Sequence, residues 1–132
     1  MEKVLTFIIN DEKILLLLGS DKDPQFHESF WYTVTGAKEK EDLTLEDTVR
    51  REVKEETNLE LERIINLNWV FEYESLGTKC IEYAYVSYTN DFDVLLNEES
   101  IDYKWCTLDE FIDLIKWYED KTKLREILDK YL

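Results

Sequence analysis

The stretch Thr44–Asn58, T-LEDTVRREVKEET-N, constrains the fold more than any other part of the chain. Leu45, Val49 and Val53 recur every four residues, which predicts a helix with one buried stripe. Thr44 with Asp47 three residues later matches a capping box, and Asn58 suits the left-handed conformation that ends helices. A helix turns about 100° per residue, so Glu52 meets Glu55 and Glu56 as i,i+3 and i,i+4 neighbours. Like charges at that spacing cost roughly 0.2–0.5 kcal/mol per pair. Three carboxylates therefore share one patch, and a divalent cation is the natural counterweight.

With 132 residues, the chain is the size of one domain, predicted to span 1–132 around a single core. Its 31 acidic and 16 basic residues give a formal net charge of −15. A field of that sign opposes polyanions, so a nucleic-acid polymer and an anionic membrane face are both disfavoured as partners. A small phosphorylated substrate stays compatible, because a bound metal reverses the local sign and bridges carboxylates to phosphate oxygens. Cys80 and Cys106 are too few and too far apart for a zinc motif or disulfide framework, and read as reduced, buried thiols. The start, MEKVLTFIIN, has no basic segment leading into a long apolar run, and the longest apolar run is Ile14–Leu18. The expected location is cytoplasmic.

Val4–Ile9 and Lys13–Leu18 are apolar runs separated by Asn10-Asp11-Glu12 and predict two adjacent strands. Gly19–Glu28 holds the only proline and the only histidine, His27, and reads as a loop before a short strand at Phe30–Thr35 that Gly36 ends. Ile64–Ser75 and Lys79–Tyr88, joined around Gly77, read as an aromatic hairpin, with a further strand at Tyr103–Cys106. From Thr107, apolar residues return at helical spacing and predict one or two closing helices. The order fits an α+β class fold, a mixed sheet sandwiched between helices, better than regular βαβ alternation.

Taken alone, Glu-x-x-Glu-Glu on a helix is usually a solvated face. Here Gly36, Asp42 and Arg51-Glu52-Val53-Lys54-Glu55-Glu56-Thr57-Asn58-Leu59 together resemble the Nudix hydrolase signature, over 36–59. Three departures stand out. Asp42 replaces a glutamate, the spacer to Arg51 is one residue longer, and Asn58 replaces a glycine. The extra residue falls in a loop, where insertions are cheap, and Asn58 can take the glycine's conformation.

The resemblance implies a Nudix-type α/β/α fold and binding of Mg²⁺ or Mn²⁺ by Glu52, Glu55 and Glu56, with the Gly36 carbonyl as an additional ligand. Arg51 would orient a carboxylate through a charge-assisted hydrogen bond, against the alternative of an exposed pair with Glu55. Phe30-Trp31-x-x-Val34-Thr35-Gly36 and Glu99-x-x-x-Tyr103-Lys104-Trp105 are similar to the branch containing dATP and dihydroneopterin triphosphate pyrophosphohydrolases. In that branch Glu99 would assist the metal or act as general base, with Glu52 and Glu98 as alternatives for the base.

Trp31 and Trp105 are the candidates for stacking on the substrate. Trp69, Phe71, Tyr73, Tyr83 and Tyr85 alternate as strand residues do and read mainly as packing. His27 reads as a surface or substrate-rim side chain. The implied reaction is hydrolysis of a nucleoside or pterin triphosphate to the monophosphate and pyrophosphate. Other Nudix substrates (ADP-ribose, dinucleoside polyphosphates, oxidised nucleotides) remain alternatives, although the proline typical of the ADP-ribose branch is missing after the motif. From other classes, a catalytically silent nucleotide sensor and an acidic interaction domain are the rivals.

Overall fold

The computed structural model describes residues 1–20 and 29–132; Pro24 and His27 lie outside the described residues. The chain folds as β1 (Glu2–Asn10), β2 (Lys13–Gly19), β3 (Trp31–Tyr32), β4 (Val34–Ala37), α1 (Leu45–Thr57), β5 (Arg63–Ser75), β6 (Thr78–Tyr88), β7 (Ser100–Cys106), α2 (Leu108–Leu114) and α3 (Lys121–Asp129). The mixed sheet sandwiched between helices is the expected architecture. Both faces of β1 are buried because the sheet is covered on both sides.

Period-two alternation sorts β1 residues between two cores. Val4 and Ile8 pack with Val49 and Val53 of α1. Leu5, Phe7 and Ile9 pack with Phe111, Ile115, Leu124 and Leu128 under α2 and α3. Val49 and Val53 are wholly buried, and each such side chain contributes roughly 1.5–3 kcal/mol on leaving water. That burial, rather than intrinsic propensity, fixes which face of α1 meets the sheet.

β1 runs parallel to β6 from Glu2↔Ile81 to Ile9↔Tyr88. Its other edge is shared: β4 pairs with Lys3–Thr6, and β2 joins only at Ile9↔Ile14 and Asn10↔Lys13. Beyond that point β2 leaves to pair with β7 and β3, so the sheet splits into two diverging halves. The single strand expected over Phe30–Thr35 is in fact two short ones. It breaks at buried Thr33, whose hydroxyl donates to the Thr6 carbonyl, so that β3 joins the β2 half and β4 the β1 half. Gly36 does not end the strand, which continues to Ala37.

At the opposite edge lies β5, whose pairing with β6 is interrupted between Asn66 and Val70, with Asn68 at φ 54°. Leu76 (φ 51°) and Gly77 (φ 79°) make the hairpin turn.

The capping box is present: Thr44 accepts from the Asp47 N–H at 3.1 Å, and Asp47 accepts from the Thr44 N–H at 3.1 Å. Asn58 stands at φ 62°, ψ 13°, and its N–H donates to the Lys54 carbonyl. The backbone thus takes at Asn58 the conformation a glycine would give it. Asn58→Ala should therefore cost about 1 kcal/mol and Asn58→Gly no more than a few tenths, as read from urea unfolding midpoints.

Candidate active site

The site is built on the end of β4, the loop that follows it, and the outer turn of α1. Gly36 lies so close to this helix that a Cβ on it would overlap the Glu52 carboxylate. Gly36 is in register with Val4, two residues from the Lys38 N–H→Glu2 O bond of 2.9 Å. Ladder alternation then turns the Gly36 peptide groups toward β1. What Gly36 supplies beside Glu52 is the absence of a side chain.

Arg51 gathers the acidic groups around it. Its guanidinium donates to Asp42 (2.9 Å to Oδ2), to the Ala37 carbonyl (2.9 Å) and to Glu52 Oε1 (2.9 Å), and more loosely to Glu55 (3.4 Å). Glu39 adds an ion pair at 3.3 Å. Asp42, 7% exposed, also accepts from the Glu39 N–H and the Thr48 hydroxyl, both at 2.9 Å. The Arg51 hydrogen bonds above all, then the Glu39 N–H, hold the Asp42 carboxyl well below its ordinary range. The lengthened loop is therefore a closed turn pinned from inside by Asp42, and Arg51 is far more than an exposed partner of Glu55.

The three helix carboxylates have different surroundings. The Glu55 side chain is 53% exposed and leans on Arg51, whereas that of Glu52 is only 13% exposed. Glu56 is 8% exposed, and its Oε2 is buried without a hydrogen-bond partner among the described residues. Burial first, then the charges of Glu99 and Glu52, push Glu56 well above the usual carboxylate range. Burial likewise raises Glu52 against the opposing pull of Arg51. A solvated acidic face does not bury carboxylates in this way. As they stand, no three acidic groups among the described residues enclose a metal ion, and both Glu52 and Glu55 are turned to Arg51. The candidate donors nevertheless fit a hard cation: they are carboxylate oxygens, and one of them is buried without a partner among the described residues.

Glu56 and Glu99 line one end of a cavity of about 670 Å³ that opens along the split in the sheet. Glu99 is on the loop entering β7, tied down by the Ser20 N–H→Glu99 O bond of 2.9 Å. Glu98 does not line the cavity. Of the two stacking candidates, neither does. Trp31 packs against the core under α2 and α3. Trp105 packs on the α1 side, donates its indole N–H to the Phe92 carbonyl at 2.9 Å and meets the Phe92 ring edge-on.

The aromatic lining includes Tyr32, Phe71, Tyr73 and Trp117, with Trp117 stacked on Tyr32 at 6.2 Å. The Lys116 N–H→Trp31 O bond, 3.0 Å, fixes the α2–α3 connection over the cavity. Strand parity passes over Trp117 because it lies between two helices, outside any period. It does single out Glu82, a charged residue on the same inward parity as Cys80, Ala84 and Val86.

Solved structures with this fold include a MutT protein from Methanosarcina mazei Go1, 23% identical, covering 99% of this chain and 91% of that one at a TM-score of 0.75. The NUDIX domain of Shewanella oneidensis NrtR complexed with ADP ribose is 19% identical, covering 99% and 87% at 0.77. The Escherichia coli dihydroneopterin triphosphate pyrophosphohydrolase is 22% identical, covering 98% and 93% at 0.71. No curated protein matches the chain. The model of the NUDIX domain matches residues 2–128, and the chain belongs to that family.

The loop anchor has a measurable signature. A carboxyl whose folded-state pKa is depressed contributes stability above its ordinary value of 3.8, and this is lost as pH falls through the folded value. Asp42→Asn should lower the thermal midpoint at pH 7 and flatten the loss of stability below about pH 4, compared by calorimetry with the unaltered chain.

Proposed function

We propose that the protein is a divalent-metal-dependent hydrolase that cleaves a nucleoside or pterin triphosphate between its α and β phosphates, giving the monophosphate and pyrophosphate. The observation that carries this reading is the Glu56 oxygen, buried and unpaired among the described residues, in the lining of an aromatic cavity. An ionised carboxylate left buried without a partner costs roughly 3–5 kcal/mol, so the site favours a proton or a cation there. A chain of net charge −15 also needs a counter-ion before it can receive a triphosphate.

Glu52, Glu56 and Glu99 would hold Mg²⁺ or Mn²⁺, joined by Glu55 once it rotates off Arg51. The cation supplies a water activated at neutral pH and neutralises charge on the departing pyrophosphate. Arg51 keeps Glu52 oriented through the 2.9 Å hydrogen bond and fixes the loop behind it. Glu99, exposed on the cavity rim, accepts the proton of the attacking water as oxygen adds to phosphorus and the anhydride P–O bond breaks. The aromatic wall receives the ring of the substrate.

Purified protein with Mg²⁺ should release pyrophosphate from members of a nucleoside and pterin triphosphate panel, and chelation should abolish release. Glu56→Gln should reduce kcat/KM by about 100-fold or more, and Glu99→Gln by roughly 100- to 10,000-fold, with the circular dichroism spectrum retained. Glu98→Gln should have little effect. Nucleotide binding with no release across the panel would favour the ligand-sensing reading instead.

A further inference from the structure

Glu82 is a carboxylate in an unusual place. It is 7% exposed, on the inward parity of β6, and lies on the floor of the cavity with Phe71 of β5 and Lys3 of β1 beside it in register. Its hydrogen bond comes from the Tyr73 hydroxyl, which donates to Oε2 at 3.2 Å; none reaches Oε1 among the described residues. Burial pushes its carboxyl above the usual range, and the nearby charge of Lys3 and the Tyr73 hydroxyl work against that shift. A carboxylate can accept about four hydrogen bonds, so this buried one is under-satisfied. An apolar residue of similar volume would serve the fold at least as well. Trp117, in the wall of the same cavity, has a buried indole N–H with no partner among the described residues. Among the described residues, an unpaired buried indole N–H and a carboxylate with a single hydrogen bond thus share a space bounded by aromatic rings.

We propose that Glu82 determines substrate specificity, selecting a ring that presents two adjacent N–H donors, the amidine edge of guanine or pterin, whose neighbouring carbonyl can accept from the Trp117 indole. A carboxylate accepts two parallel N–H bonds from such an edge. Adenine offers an amino group beside a ring-nitrogen lone pair, which faces the carboxylate with repulsion. Uracil and thymine offer one donor between two acceptors. The inference rests on the cavity receiving the substrate's ring, as proposed above, and deepens that reading.

Calorimetric titration in excess Mg²⁺ of guanosine, inosine and adenosine 5′-monophosphates, which carry no anhydride bond to hydrolyse, tests the idea on the unaltered protein. Guanosine monophosphate should bind roughly 10- to 100-fold more tightly than adenosine monophosphate, with inosine monophosphate, which lacks the 2-amino group, between them. Glu82→Gln should collapse the guanine-to-adenine ratio toward unity, and a retained thermal transition shows that the variant is folded. Neopterin displacing guanosine monophosphate more strongly than guanosine does assigns the pterin source of this edge; the reverse assigns the nucleotide source. Affinities equal within twofold, or no binding of any of the three at millimolar concentration, overturn the proposal. These readouts need no turnover, so loss of pyrophosphate release with the affinity order intact removes the proposed reaction and not the selectivity.

Discussion

The guanidinium of Arg51 binds the Asp42 and Glu52 side chains and the Ala37 carbonyl, all at 2.9 Å. These groups belong to the end of β4, the loop after it and α1, so one planar cation with five N–H donors fixes three segments relative to each other. Without it, Asp42 and Glu52 would be two little-exposed negative charges facing each other across the loop. A lysine could supply the charge but not the fork, and the Glu52 carboxylate would lose its fixed place over Gly36. The Asp42 loop and the Glu52 carboxylate inherit their geometry from this residue.

Much of this was legible in the residues. The α1 stripe of Val49 and Val53, the Thr44 capping box and the Asn58 terminus follow from local rules, and local rules suffice for a helix that docks by one face. The carboxylate positions were legible for the same reason, because i,i+4 geometry is fixed within the helix. Their unequal burial was not. It depends on the surroundings of each: Glu55 faces solvent beside Arg51, while Glu56 is buried and lines the same cavity as Glu99, far away in sequence.

The break at Thr33 was equally illegible, since a two-residue strand takes its identity from its partners and Tyr32 and Val34 pair with different halves of the sheet. Trp31 and Trp105 are half-buried residues that pack against the two cores, a placement their neighbours in sequence do not report. Trp117, whose position no periodicity reports, is placed over the cavity by the backbone bond from Lys116 to Trp31. Glu82 could have been singled out as a charge at an inward strand position, a conflict between local pattern and global fold of the kind that functional residues produce.

The interruption of β5 between Asn66 and Val70 bears on how copies of this chain meet. β5 is the last strand of the sheet, and a straight, uncharged edge of 13 residues would offer a template for pairing with another molecule. Asn68, with its left-handed backbone, bends the strand, and Glu72 and Glu74 follow the bend with charges of the same sign as the chain as a whole. Two such edges approaching each other meet curvature and like charge together, so the longest strand in the molecule is also guarded against edge-to-edge association.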